Sequence, residues 1–343
     1  MLSDAQLAEA MRTAIAASEA VRGSTSPNPP VGAVILDKDG RTAGVGATQP
    51  PGGPHAEVMA VRAAGEAATG GTAIVTLEPC SHTGRTPPCT DLLKSVGVAQ
   101  VYFAVADPNP VAAGGKQVLA EAGIPARQGL LAQEVQRGPL RAWLHYARTG
   151  RPHVTWKYAM TMDGRAAAAD GTSRWISGPE SRAEVHELRR AADAIVVGTG
   201  TVRADDPQLT ARDADGALRD RQPLRVVVGL GELPPGARVT DESARTVQFH
   251  TRKPDEVLTT LGAQGVVDVL LEGGPRLAGA FLQAGLIDRV LAYVAPKLLG
   301  SGPMALGEAG VATITQAHVW TVESATMSGP DVRISAIPVR RAA

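Results

Sequence analysis

The sequence predicts an α/β fold built as two domains, and three features carry that reading. Apolar runs of strand length alternate with stretches of helical period along most of the chain. The alternation reaches a helix over 131–149, is interrupted at Gly150-Arg151-Pro152, and begins again with a new strand. At 343 residues the chain also exceeds what one hydrophobic core ordinarily fills. The expected domains are therefore 1–150 and 151–343.

In the first half, Leu7, Ala10, Met11, Ala14 and Ile15 recur at helical spacing and predict a helix over 4–21. Residues 31–36 form an apolar run between Pro29-Pro30 and the turn residues Asp37-Lys38-Asp39-Gly40. That pattern predicts a buried strand turning into a second one over 42–46. A helix over 56–64 starts directly after His55. A strand over 72–77 runs into a loop rich in Pro, Gly and Cys over 78–88, and Cys89 opens a helix to 96. A strand over 101–105 and a helix over 116–122 follow. In the second half the strands are expected at 153–160, 194–198, 224–228, 247–250, 267–271 and 290–295, with helices over 179–191 and 274–284.

Charge restricts the partners. Lys plus Arg and Asp plus Glu are each 34, so there is no basic excess for nucleic acid and no net acidity for a basic partner. Aromatic residues are only 3%, too few for a base-stacking surface. The first 21 residues carry Asp4, Glu9 and Glu19 and do not read as a secretory signal. No apolar run approaches the roughly 20 residues that span a bilayer. A cytoplasmic protein acting on a small molecule is expected, with no membrane or nucleic-acid partner. Two cysteines in such a chain do not suggest a disulfide framework.

Their context suggests a metal. His55-Ala56-Glu57 stands at a predicted helix start, Pro79-Cys80 at a strand end, and Cys89 at the next helix start. One imidazole and two thiolates supply three zinc ligands and leave a fourth position for water, as catalytic zinc sites do. Glu57, two residues from the histidine, is placed as the proton shuttle of a zinc deaminase. A closed structural zinc would need a fourth protein ligand, and His82 is the obvious local candidate. Eight residues separate the two cysteines, where many zinc deaminases have two. The insert brings His82 and Arg85 beside the metal, and an arginine there suits a substrate phosphate. The alternative for Arg85 is a solvated loop cation.

The run from Pro79 to Cys89, Pro-Cys-Ser-His-Thr-Gly-Arg-Thr-Pro-Pro-Cys, closely resembles the deaminase half of bacterial bifunctional riboflavin biosynthesis proteins. So does Ser26-Pro27-Asn28-Pro29-Pro30-Val31-Gly32-Ala33-Val34, in which Asn28 matches an asparagine that helps to hold the base. Asp107-Pro108-Asn109-Pro110 resembles a later loop of the family, expected to border the same pocket. The second half resembles the family's reductase over nearly its whole length. The matching motifs run from Lys157 to Arg165, from Thr172 to Ser177, from His186 to Arg189, from Gly198 to Thr201, through Asp205-Asp206-Pro207, and from Glu272 to Leu277. The resemblance implies a cytidine-deaminase-like three-layer domain followed by a dihydrofolate-reductase-like domain. It implies NADPH as the second cofactor beside Zn2+. It also implies nicotinamide-cofactor contacts at Ala159, Trp175, Thr201, Asp205, Gly274, Pro275, Arg276, Leu277, Ala278, Gly279 and Ala280. Substrate contacts are implied at Ser173, Arg189, Leu209, Arg212 and Glu272.

Some of these carry independent physical sense. Gly273-Gly274 between an apolar strand and a helix lets backbone approach a ligand and offers free N–H groups to phosphate, although an ordinary glycine turn has the same pattern. No Gly-x-Gly-x-x-Gly fingerprint is present in the Rossmann position. Arg189 and Arg212 suit a ribose phosphate. Leu209 and Ala159 suit plain packing equally well, and Trp175 suits a core anchor. Lys157, on the first strand of the second half, is a candidate to donate a proton or hydrogen bond to an opening sugar, or to hold its phosphate. Its alternative is a partly exposed strand lysine without a role.

The implied activity is hydrolysis of the 2-amino group of 2,5-diamino-6-(phosphoribosylamino)pyrimidin-4-one, then reduction of the ribosyl side chain by NADPH. A homo-oligomer is expected. Two rivals differ in class. An RNA-base deaminase would need a basic, aromatic groove, and a zinc-stabilised scaffold would have no use for Glu57.

Overall fold

The computed structural model describes residues 2–83 and 87–339. The chain divides into two compact units that meet between Gly150 and Arg151. The first contains, in order, α1 (Asp4–Ala20), β1 (Gly32–Leu36), β2 (Thr42–Ala47), α2 (Ala56–Ala64), β3 (Thr72–Leu77), α3 (Cys89–Ser95), β4 (Gln100–Val105), α4 (Gly115–Glu121), β5 (Ala126–Gln128), α5 (Ala132–Arg137) and α6 (Arg141–Thr149).

Its five strands lie in the order β2-β1-β3-β4-β5, with β1 antiparallel to both neighbours and β3, β4 and β5 parallel. The helices cover both faces, and glycines show how. A Cβ on Gly32 would sit 1.9 Å from the Ala14 carbonyl oxygen, so α1 rests directly on the backbone there. A Cβ on Gly46 would sit 2.3 Å from the Ala60 nitrogen, so α2 does the same on β2. Gly46 pairs with Ala33, next in sequence to Gly32, and successive strand residues face opposite ways. Helices α1 and α2 therefore lie on opposite faces of one sheet, giving three layers. β1 and β3 are buried along their whole length, as a sheet covered on both sides requires.

The second unit contains β6 (His153–Thr161), α7 (Pro179–Ala191), β7 (Ala194–Gly198), α8 (Thr199–Asp205), β8 (Leu224–Val228), β9 (Thr246–Phe249), α9 (Pro254–Ala263), β10 (Asp268–Leu271), α10 (Pro275–Gln283), β11 (Arg289–Ala295), β12 (Trp320–Ser328) and β13 (Asp331–Pro338). Its sheet order is β12-β13-β11-β6-β10-β7-β8-β9. The strands from β11 through β9 are parallel, and the β12–β13 hairpin joins β11 antiparallel. The main core packs Val154, Trp156, Val196, Val269 and Leu271 of the central strands against Leu258, Leu261, Ala278 and Phe281 of the helices. The chain leaves β6, builds outward through β7, β8 and β9, then returns to insert β10 beside β6. The carboxyl ends of β6, β10 and β7 thus meet at a reversal of strand order, where open α/β sheets bind ligands.

Several expectations are corrected. The helix over 131–149 is two helices. Pro139 has no N–H to continue the ladder, and α5 stops at Gly138. Sequence periodicity missed β5, α8, α9 and the β12–β13 hairpin. The hairpin has many half-exposed Thr, Ser and Arg positions and so lacks a strand's apolar alternation. Among the described residues no helix is long and apolar enough to cross a membrane.

Candidate active sites

In the first unit, three chain segments converge at the carboxyl end of β3. His55 precedes the first turn of α2 in extended backbone, so its ring projects from the helix start. Glu57 follows inside that turn and is 4% exposed. Cys80 lies just beyond β3, and Cys89 is the first residue of α3. The Cys89 N–H donates to Cys80 Sγ at 3.4 Å, and the Thr90 N–H to the Cys80 carbonyl at 3.2 Å, which ties α3 to the strand end. Gly115 is needed beneath this loop, because a Cβ there would lie 1.9 Å from the Pro79 carbonyl oxygen.

His55 Nδ1 stands 3.6 Å from Cys80 Sγ and 3.3 Å from Cys89 Sγ. Tetrahedral zinc with ordinary Zn–N and Zn–S bonds sets nitrogen–sulfur separations of about 3.5 Å. The three ligand atoms all lie within 4.8 Å of one another, and no fourth protein ligand joins them among the described residues. The donor set fits zinc with an open position, and the closed site with His82 does not form. Without metal, the hydrogen bond from Cys89 is the main reason the Cys80 thiol falls to about 4, and the same shared proton pushes Cys89 up. Burial, then the Cys80 charge, pushes Glu57 up to about 7.

A cavity of about 880 Å³ opens over this cluster. Asn28, His55, Glu57, Cys80, His82 and Asp107 all line it. His82 Nδ1 is buried with no hydrogen-bond partner among the described residues. Arg85 lies outside the described residues. The Asp107 loop borders the cavity as expected, and burial raises its carboxyl. Glu78 was not singled out from sequence. It accepts from the Asp107 N–H at 3.2 Å and the Lys116 N–H at 2.9 Å, so it locks that loop to β3. A carboxylate directly before Pro79-Cys80 was the available signal. Trp143 of α6 also lines the cavity, and nothing in its local sequence announced this.

In the second unit, Lys157 on β6, Arg189 on α7 and Glu272 just past β10 form one cluster. Arg189 grips Glu272 with two bonds, Nε to Oε1 at 2.7 Å and Nη2 to Oε2 at 3.0 Å. Its Nη1 donates to the Thr210 carbonyl at 3.3 Å. Lys157 Nζ lies 3.9 Å from Glu272 Oε2, and its side chain is 16% exposed, so it is a partly buried strand lysine that faces a carboxylate. Burial would raise Glu272, but the charges of Arg189 and Lys157 outweigh it and hold the carboxyl at about 2. Burial lowers Lys157 by more than the Glu272 charge raises it.

Around this cluster the other expected residues separate into two kinds. The Gly274 N–H donates to Thr201 Oγ1 at 3.1 Å, joining the starts of α10 and α8. Ser173 Oγ donates to Asp205 Oδ1 at 3.2 Å. Trp175 is 62% exposed and so is no core anchor, and the Arg182 guanidinium lies 4.6 Å from its ring centroid. Arg276 is exposed at the start of α10, and Pro275 and Leu277 are half-buried beside it. By contrast, the Leu209 side chain is buried in a core cluster at φ 56°, so only its backbone is free to face a ligand. Ala278 and Gly279 face inward. A Cβ on Gly279 would lie 2.0 Å from the Glu308 carbonyl oxygen, and Ala280 lies further along the helix. Ala159 packs against the cluster of Val185, Leu291 and Tyr293.

These two sites can be set beside known proteins. Residues 4–105 match the cytidine and deoxycytidylate deaminase zinc-binding region, and residues 152–328 match the RibD C-terminal domain. The riboflavin biosynthesis protein RibD of Mycobacterium tuberculosis is 56% identical over 329 residues, which cover 96% of each chain. The chain belongs to the RibD family. The Escherichia coli RibD is 40% identical over 94% of this chain and 96% of its own. A Thermotoga maritima structure, titled as a diaminohydroxyphosphoribosylaminopyrimidine deaminase/5-amino-6-(5-phosphoribosylamino)uracil reductase, is 33% identical with a TM-score of 0.88. It covers 98% of this chain and 99% of its own. An Acinetobacter baumannii RibD structure is 37% identical with a TM-score of 0.86, covering 98% and 100%. With a zinc-binding deaminase region and a RibD C-terminal domain in one chain, this RibD family member is a bifunctional riboflavin-biosynthesis enzyme, both hydrolase and oxidoreductase.

Proposed function

We propose that residues 1–150 deaminate 2,5-diamino-6-(5-phosphoribosylamino)pyrimidin-4-one and that residues 151–343 then reduce its ribosyl group with NADPH, giving 5-amino-6-(5-phosphoribitylamino)uracil in the cytoplasm. The observation that carries the first half is Glu57, a buried carboxyl that lines the same cavity as His55 and Cys80, two of the three zinc-compatible ligands that leave a position open.

His55, Cys80 and Cys89 would hold the zinc, which when bound supplies an activated water. Glu57 takes one proton from the attacking water and passes it to the ring nitrogen, then takes the second from the hydroxyl left on the ring carbon and passes it to the departing amine, so that the carbonyl forms as ammonia leaves. Asn28 holds the base, and His82, which lines the same cavity, meets the substrate's phosphate.

For the reduction, the starts of α8 and α10, exposed Arg276 and the exposed Trp175 indole suit a phosphate-bearing dinucleotide. NADPH would supply hydride to the sugar C1′. Lys157 holds a proton at Nζ for the sugar oxygen as the ring opens, and burial makes that proton easier to release. Glu272, oriented by Arg189, fixes the sugar. Arg189 is committed through Nε, Nη1 and Nη2 to Glu272 and Thr210, whereas Arg212 is held by the Gly216 carbonyl and Gln208 through its two Nη atoms and keeps its Nε–H for the phosphate.

A coupled assay tests both steps. The diaminopyrimidine phosphate is supplied with NADPH, and ammonia and NADPH absorbance are followed together. One ammonia released for each NADPH consumed is expected. NADPH loss without ammonia, or neither signal, would overturn the assignment.

A further inference from the structure

We infer that Gln208 is a positioning residue for the reductase site, holding the Arg212 guanidinium in the orientation that receives the substrate phosphate. This rests on the proposed phosphate role of Arg212.

Gln208 lies in the short connection between α8 and Arg212. Its Nε2 donates to Asp241 Oδ2 at 2.6 Å, and its Oε1 accepts from Arg212 Nη2 at 2.6 Å. Arg238 Nη2 reaches the same oxygen at 3.3 Å. The residue type follows from the partners. A carboxylate only accepts and a guanidinium only donates, so the bridge between them needs a donor at one end and an acceptor at the other. An amide has that pair. A glutamate would set two carboxylates together and cancel the charge of Arg212, and an apolar residue would leave both partners unbridged.

The far end of the bridge is anchored in the core. Arg225 is a fully buried arginine on β8, 0% exposed, and its Nη1 donates to Asp241 Oδ1 at 2.8 Å. Its Nε donates to Thr246 Oγ1 at 2.8 Å, and its Nη2 to the carbonyls of Asp241 and Ala244. Burial alone would raise the Asp241 carboxyl, but bonds from Ser243, Arg225 and Gln208 reverse this and keep it ionised. The path of the backbone is fixed separately. The Gln208 carbonyl accepts from Arg225 Nη1 at 3.2 Å, and both backbone groups of Ala211 bond the Gln222 amide at 2.8 and 2.9 Å. Side-chain loss at Gln208 therefore removes the bridge to Arg212 while these backbone ties remain.

The test is a double-mutant cycle in the full chain with the deaminated substrate and NADPH. Gln208→Met keeps the side-chain length and removes the amide. Loss of one hydrogen bond to a charged group predicts a KM for the phosphorylated substrate raised about tenfold. The KM for NADPH and kcat should stay close to the parent's. In an Arg212→Ala background, Gln208→Met should have no further effect on KM. Gln208→Glu, which still folds around the same backbone bonds, should raise KM in the same direction. A normal KM in Gln208→Met, with KM raised in Arg212→Ala, overturns the positioning role alone. A normal KM in Arg212→Ala overturns the phosphate reading and this inference with it. A Gln208→Met effect that persists undiminished without Arg212 overturns the inference in favour of general loosening.

Discussion

Glu57 and Glu272 are both buried carboxylates, and their surroundings assign them opposite tasks. Burial, then the Cys80 charge, pushes the Glu57 carboxyl up, and in the proposed deamination Glu57 takes up and returns a proton. Glu57→Gln keeps the shape and removes the shuttle. Ammonia release should fall about a hundredfold to ten-thousandfold. Zinc content and reduction of the deaminated substrate should persist, and measuring all three on one preparation checks the assignment. Glu272 is held at about 2 between Arg189 and Lys157 and stays ionised. Glu272→Gln leaves two buried cations without their counter-charge, and a loss of about 3–5 kcal/mol is expected from breaking a buried pair. The pH dependence has a definite sign. A carboxyl depressed in the folded state contributes stability that is fully present above its ordinary value near 4.5 and is lost as pH falls through about 2. The parent should therefore lose stability across that window, and Glu272→Gln should lack this part of the loss. Denaturant midpoints at neutral pH and inside the window measure it.

At the scale of elements, the first site depends on how closely α2 lies on β2. Gly44 and Gly46 are buried on the same face of that strand, and the helix backbone rests on both. A Cβ at Gly46 would also lie 2.4 Å from the Ala56 carbonyl oxygen, one residue from His55 and Glu57. Helix backbone cannot yield as a flexible side chain can, so Gly46→Ala must lift the start of α2. Overpacking of this kind costs about 1–3 kcal/mol. The expected result is reduced zinc content and reduced ammonia release, with NADPH-dependent reduction of the deaminated substrate retained. Equal damage to both activities would show that the effect is not confined to α2.

At the scale of the whole molecule, two compact units carry two unlike clusters, one of cysteine sulfurs and imidazole and one of partly buried charges. Chelation should abolish ammonia release while NADPH oxidation by supplied deaminated substrate continues, and re-addition of zinc should restore the first step. Glu57→Gln and Lys157→Ala should fail at opposite steps. The single-step assays come first, with Lys157→Ala expected to deaminate normally and to reduce poorly. Normal reduction by Lys157→Ala would remove Lys157 from the chemistry. A mixture of the two variants should then carry substrate through to product.

Much of this was legible in one dimension. Zinc favours imidazole and thiolate ligands at such sites, a carboxylate beside them can carry a proton, and strand and helix periods show in side-chain polarity. That His55, Cys80 and Cys89 would come together with Glu57 close by, and where most of the central strands lie, could therefore be expected from the residues and their spacing. Resemblance of longer motifs added Arg189, Arg212 and Glu272 as expected substrate contacts. Tertiary structure decided which of the expected residues have a side chain free to act. It turned Leu209 and Ala278 into the core, exposed Trp175, and set a partly buried Lys157 beside Glu272. It also disclosed Glu78, Gln208, Asp241 and Arg225, none of which belongs to a recognisable local pattern. Their roles are set by complementary donors and acceptors that meet only when segments far apart in sequence fold together. Period and composition report on local backbone and burial, but they do not report which hydrogen-bonding group lies opposite another across the folded chain.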